Sequence, residues 1–233
     1  MASAIRRYLN ETRRPVYSGA LVLPFFLVYH VGTFILRTTY INGADALIMQ
    51  LLALLSVRSA FASALVLLLS FVIWQVRSDS SWKVSPAKLS AMFGESLLFA
   101  LALCSGFGWL GSRLSCAADA GTQAGLFERL VLYCGAGIYE ELVFRGFLLS
   151  LLIIALSRLA GLRKRTAAFW GAIAAALLFS AFHYVGPTGD KFSLGSFSQR
   201  AAGGLYFSCL FVTRGFGITA ATHALYDMIV GLP

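Results

Sequence analysis

The chain has 233 residues, 58% hydrophobic and 12% charged, with a mean hydropathy of +0.77. That is too apolar for a soluble domain and too evenly spread for a soluble domain carrying one anchor. The net charge of +9 does not mark a nucleic-acid binder, because the basic residues sit in short segments between apolar runs and not among aromatics on a polar face.

The expected class is an all-α, polytopic transmembrane helix bundle of about seven to eight spans. An outer-membrane barrel would show alternating segments of about 10 residues. Here the runs 60–76 and 166–182 approach or reach the roughly 20 residues a helix needs to cross a bilayer.

In chain order, Arg6, Arg7, Arg13 and Arg14 precede an apolar run over 17–36. That run is longer than a signal-peptide core of about 7–15 residues and is followed by no small-x-small pattern, so it reads as a retained first span. Next comes 44–57, apolar but short, which could lie in the interface, re-enter the bilayer or extend the following helix. Further spans are predicted over 59–76, 88–110, 126–157, 166–184, 197–213 and 215–232. As one straight helix, 126–157 would be roughly 48 Å long, so it must tilt, kink or break, most easily at Gly135 and Gly137.

With the N-terminus inside, twelve Lys and Arg fall on the cytoplasmic side, Arg214 among them, against six outside. This asymmetry predicts an N-in, C-out topology. No linker or repeat divides the chain, so 1–233 reads as a single domain. Cys104, Cys116, Cys134 and Cys209 form no CxxC pair and are expected to be reduced.

Three segments inside the apolar runs concentrate ionisable groups: Glu140, Glu141 and Arg145; His183; and His223 with Asp227. A charge in hydrocarbon costs several kcal/mol unless paired or facing a polar cavity, so such a set marks a functional site. Arg145 follows Glu141 by four residues, the spacing at which helical side chains meet, and the two are expected to form an ion pair. Adjacent helical positions are about 100° apart, so Glu140 should point elsewhere, unpaired and facing the cavity. His223 and Asp227 are also four apart, so Asp227 is positioned to orient the imidazole. His183 is either structural or catalytic on spacing alone. His30, with no acidic motif around it, is read as structural, and Tyr139 and Tyr226 as packing residues whose hydroxyls could reach the cavity.

The order E-E-x-x-x-R, F-x-x-x-H and H-x-x-x-D on successive apolar segments resembles the CPBP family of intramembrane proteases, which includes CAAX prenyl endopeptidases and bacteriocin-processing relatives. The resemblance covers roughly 126–232. It implies that Glu140 with His183 activates the attacking water, that Glu141 and Arg145 brace Glu140, and that His223 stabilises the oxyanion. The family pattern has asparagine where this chain has Asp227. An ionised aspartate cannot donate to an oxyanion, so Asp227 is either protonated or, the favoured reading, orients His223.

Glu140, His183 and His223 are also a two-histidine, one-carboxylate set of the kind that holds zinc. No H-E-x-x-H motif is present and the resemblance implies a metal-free mechanism, so no cofactor is expected, with zinc left open. The expected function is an endopeptidase of the bacterial inner membrane, multi-pass, cutting a membrane-associated protein and trimming C-terminal anchors of exported or lipid-modified proteins. The loop 185–196 would gate it from outside. The segment 23–32 (LPFFLVYHVG) resembles the bacterial sorting-associated branch, myxosortases included. The alternatives are a proton- or cation-coupled transporter, in which the same groups relay protons, and an inactive family member serving as a scaffold or immunity protein.

Overall fold

The computed structural model describes residues 2–37, 42–59, 61–111, 125–186 and 189–232. Among these, every regular element is helical: α1 Ala2–Glu11, α2 Pro15–Leu36, α3 Gly43–Leu54, α4 Ala62–Arg77, α5 Pro86–Gly111, α6 Leu126–Gly135, two π-helical segments Ala136–Glu140 and Leu142–Leu149, α7 Ser150–Arg158, α8 Lys164–Phe182, α9 Leu194–Arg214 and α10 Phe216–Gly231. The predicted spans map onto these helices. Among the described residues three stretches, Pro15–Leu36, Pro86–Phe107 and Lys164–Phe182, are long and apolar enough to cross a membrane, and the chain is an integral membrane protein.

On α2, sequence spacing sets what each face does. Tyr17, Leu21, Phe25 and Tyr29 recur every four residues and are buried, whereas Leu23, Leu27, Val31 and Phe34 form an exposed apolar stripe. A polar solvent would penalise that stripe, but hydrocarbon does not. Pro15 starts the helix where its missing N–H costs nothing. The ambiguous stretch near 44–57 is α3, a short helix against the first π-helical segment and α4. Asn42 caps it by accepting a hydrogen bond from the Ala44 N–H, and Asp45 lies in its first turn.

The long predicted span does not break at Gly135–Gly137. It stays helical from 126 to 158 and changes winding, from α to π and back. A Cβ on Gly137 would stand 2.6 Å from the Ala220 carbonyl and 2.7 Å from the Ala224 Cβ, so only glycine lets α10 approach this closely. Between α9 and α10 the chain reverses at Gly215, with φ of +85°. The main core joins Tyr17, Tyr29, Leu67, Met92, Ile138 and Ile218.

One end of the bundle gathers basic residues that charge counting assigns to a single side. Arg13 donates to the Val212 carbonyl, Arg14 to the Lys83 carbonyl, and Lys88 pairs with Glu11. Arg214 is not a free surface charge. It pairs with Glu95 and donates to Thr12 at 3.2 Å, and Glu95 in turn accepts from the Tyr8 hydroxyl at 2.9 Å. Cys104, Cys134 and Cys209 are free thiols, and Cys116 lies outside the described residues.

Candidate active site

The two π-helical segments carry the first motif. In a π-helix the hydrogen bonds close over five residues, so each residue turns the chain by less than the α-helical step. Glu140 and Glu141 still diverge, to opposite nitrogens of one ring. Both meet the same imidazole: Glu141 Oε1 is 2.7 Å from His223 Nδ1, and Glu140 Oε2 is 3.9 Å from His223 Nε2. Asp227 Oδ2 lies 3.6 Å from that same Nε2.

These contacts revise the expected division of labour. Glu141 bonds Arg145 at 2.8 Å, as four-residue spacing suggests, with both side chains fully buried. Their further bonds do not run to Glu140. Glu141 holds His223, and Arg145 Nη2 donates to the Gly204 carbonyl at 3.0 Å. The carboxylate that fixes the His223 tautomer is thus Glu141 and not Asp227. An ionised carboxylate only accepts, so Nδ1 is the protonated nitrogen and Nε2 faces Glu140 and Asp227. Stacking completes the seat: the Phe207 ring lies 4.5 Å from the His223 ring at 19°. The Arg145 guanidinium lies 4.5 Å above the Phe179 ring.

His183 follows the last residue of α8. Its Nδ1 donates to the Phe179 carbonyl at 2.9 Å, which leaves Nε2 as the acceptor nitrogen. Phe179 contacts both imidazoles, with ring separations of 4.9 Å to His183 and 6.2 Å to His223. Among the described residues no hydrogen bond joins His183 to Glu140 or His223. No three His, Cys, Asp or Glu side chains among those residues are grouped to hold a metal ion. Residues 187 and 188 of the loop expected to gate the site lie outside the described residues. The remainder is tied to His183 through the Asp190 N–H, 2.9 Å from its carbonyl, and to α9 by the Asp190–Arg200 pair.

Glu140 is not unpaired. Its Oε1 accepts from the Asn42 amide at 2.9 Å, a partner on α3 that spacing within the motifs could not reveal. The available signal was local: an asparagine ahead of Gly-Ala-Asp, the pattern of a helix N-cap. Beside this contact, the His30 Nε2 is 2.7 Å from the Tyr139 hydroxyl, and the Tyr29 hydroxyl donates to Asp45 at 2.7 Å. Tyr226 packs its ring on Phe107.

Glu140, Glu141, Arg145, His183, His223 and Asp227 all fall within 122–229, the stretch that matches the type II CAAX prenyl endopeptidase Rce1-like family. Over this C-terminal segment the chain is similar to that family. No curated protein and no solved structure matches the chain.

Proposed function

We propose that the chain is a multi-pass intramembrane endopeptidase that hydrolyses a peptide bond of a membrane-associated protein in or near the bilayer. The observation that carries this reading is the convergence of Glu140, Glu141 and His223 from two helices into one buried cluster, within the segment that matches a peptidase family. A structural ion pair alone would need only Glu141 and Arg145.

In this reading Glu140 takes a proton from water, and the hydroxide attacks the scissile carbonyl carbon. His223, protonated at Nε2, donates to the oxygen that becomes negative, while Glu141 holds the opposite nitrogen. Collapse breaks the C–N bond, and Glu140 returns its proton to the departing amine. With Nδ1 committed to the Phe179 carbonyl, the His183 Nε2 is free to hold the water. Asp227, as a carboxylate, accepts and cannot donate, so oxyanion donation falls to His223.

An apolar groove of about 510 Å³, lined by Leu47, Phe144, Phe147, Phe182 and Val185, opens between α3, α8 and the second π-helical segment. It borders His183 through Phe182, and it suits the hydrophobic flank of an anchored substrate. Trimming the C-terminal anchor of an exported or lipid-modified protein at a bacterial inner membrane fits these features.

Replacing Glu140 by Ala and His183 by Ala, and following the sizes of native membrane-anchored proteins alongside ion flux, tests the proposal. A peptidase predicts uncut precursors in both variants. A transporter predicts altered flux with normal processing, and an inactive scaffold predicts neither change.

A further inference from the structure

We propose that Asn42 is a positioning residue for Glu140, fixing the rotation of its carboxylate toward His223. The inference rests on the reading of Glu140 as the base, and the observations that carry it lie outside the three motifs.

The orientation of the Asn42 amide is settled by its two neighbours. Its Oδ1 accepts from the Ala44 backbone N–H at 2.9 Å, a group that can only donate. The other end of the amide, the NH2, therefore faces Glu140 Oε1 at 2.9 Å. Its acceptor is a carboxylate whose plane, without this bond, could turn about its terminal bond. With Oε1 occupied by a neutral donor, Oε2 is left toward the His223 Nε2 at 3.9 Å.

Asn42 is itself held in place. Its backbone N–H donates to the Tyr29 hydroxyl at 3.3 Å, and that hydroxyl donates to Asp45 Oδ2 at 2.7 Å. Ala44 and Asp45 are buried, and the first turn of α3 is held by the Tyr29 hydroxyl of α2 on one side and packs on the first π-helical segment. One residue thus caps a helix with its oxygen and orients the base with its nitrogen. A catalytic group must be held close to its productive geometry, and a displacement of about 1 Å can cost roughly 100-fold in rate.

The test separates the two ends of the amide. Asn42→Asp keeps an acceptor for the Ala44 N–H and caps as well as asparagine. It removes the donor and sets carboxylate against carboxylate. Melting temperatures of the full chain in detergent micelles are compared for wild type, Asn42→Asp, Glu140→Gln and the double variant. The expected result is a lowered melting temperature for Asn42→Asp that is restored when Glu140→Gln supplies the amide from the other side. An unchanged melting temperature, or an equal drop in the Glu140→Gln background, overturns the contact.

Pulse–chase of the precursors that accumulate in Glu140→Ala cells then reads the role. At matched levels of folded protein, Asn42→Asp is expected to slow processing by roughly 100-fold. Processing at the wild-type rate overturns the positioning role alone, whereas a wild type that processes nothing overturns the peptidase reading on which it rests.

Discussion

Glu141 and His223 are joined by a 2.7 Å bond between Oε1 and Nδ1, across 82 residues of sequence. The same Glu141 oxygen also accepts from Arg145 at 2.8 Å. A fully buried cation, a fully buried carboxylate and a nearly buried imidazole therefore form one chain of charge-assisted bonds. The first charged motif is thus fixed to the last through a residue that does not face the proposed water.

Arg145→Met leaves the Glu141 carboxylate buried without its cation. The expected loss is about 3–5 kcal/mol of stability, because breaking a buried pair costs far more than replacing both partners. The double variant Glu141→Leu with Arg145→Met removes both charges and should regain part of that stability, with the buried His223 Nδ1–H left without its acceptor, and should still not process precursors. Thermal unfolding in micelles, paired with a processing assay, checks both statements.

Gly137→Ala places a methyl group 2.6 Å from the Ala220 carbonyl. Helix α10 must shift to admit it, at a cost of roughly 1–3 kcal/mol, and His223 moves with it. The melting temperature should fall, and processing should fall further than the loss of folded protein explains.

Much of the bundle was readable from the chain because hydropathy reports burial in lipid directly. The Lys164–Phe182 helix lies within two residues of its predicted limits. The ionisable set at 140, 141, 145, 223 and 227 stood out for the same reason, since charge inside apolar runs must be accounted for. Winding was not readable. The π-helical turns at Ala136–Glu140 and the close approach of α10 to Gly137 leave no mark in the hydrophobic periodicity. Long-range polar partners were equally hidden. Asn42 reaches Glu140 across 98 residues and Glu95 reaches Arg214 across 119, separations that no periodicity links.

Glu95 and Arg214 tie α5 to α9, and Tyr8 of α1 donates to the same carboxylate. Burial, followed by the hydrogen bond and the charge of Glu95, pushes the Tyr8 hydroxyl from 10.0 up to about 12. Because the folded state holds this proton more tightly, the contribution is fully present below pH 10 and is lost as the pH rises toward about 12. Tyr8→Phe should flatten the alkaline fall in stability over that window without altering processing at neutral pH. Melting curves against pH measure it.

Asp227→Asn places an amide donor 3.6 Å or so from the His223 Nε2, where the carboxylate now lies. If oxyanion donation limits turnover, processing should accelerate, by up to about 100-fold. Pulse–chase of a precursor gives the rate, and a slower variant would mean that the carboxylate itself serves the reaction.

The central claim is that Glu140 activates water for peptide hydrolysis, and mass spectrometry of C-terminal peptides from isolated membranes incubated in heavy-oxygen water tests it most directly. The account predicts new C-termini carrying the label in wild-type membranes, with uncut and unlabelled precursors in membranes that hold Glu140→Gln at equal folded levels. Identical labelled C-termini in both would contradict it.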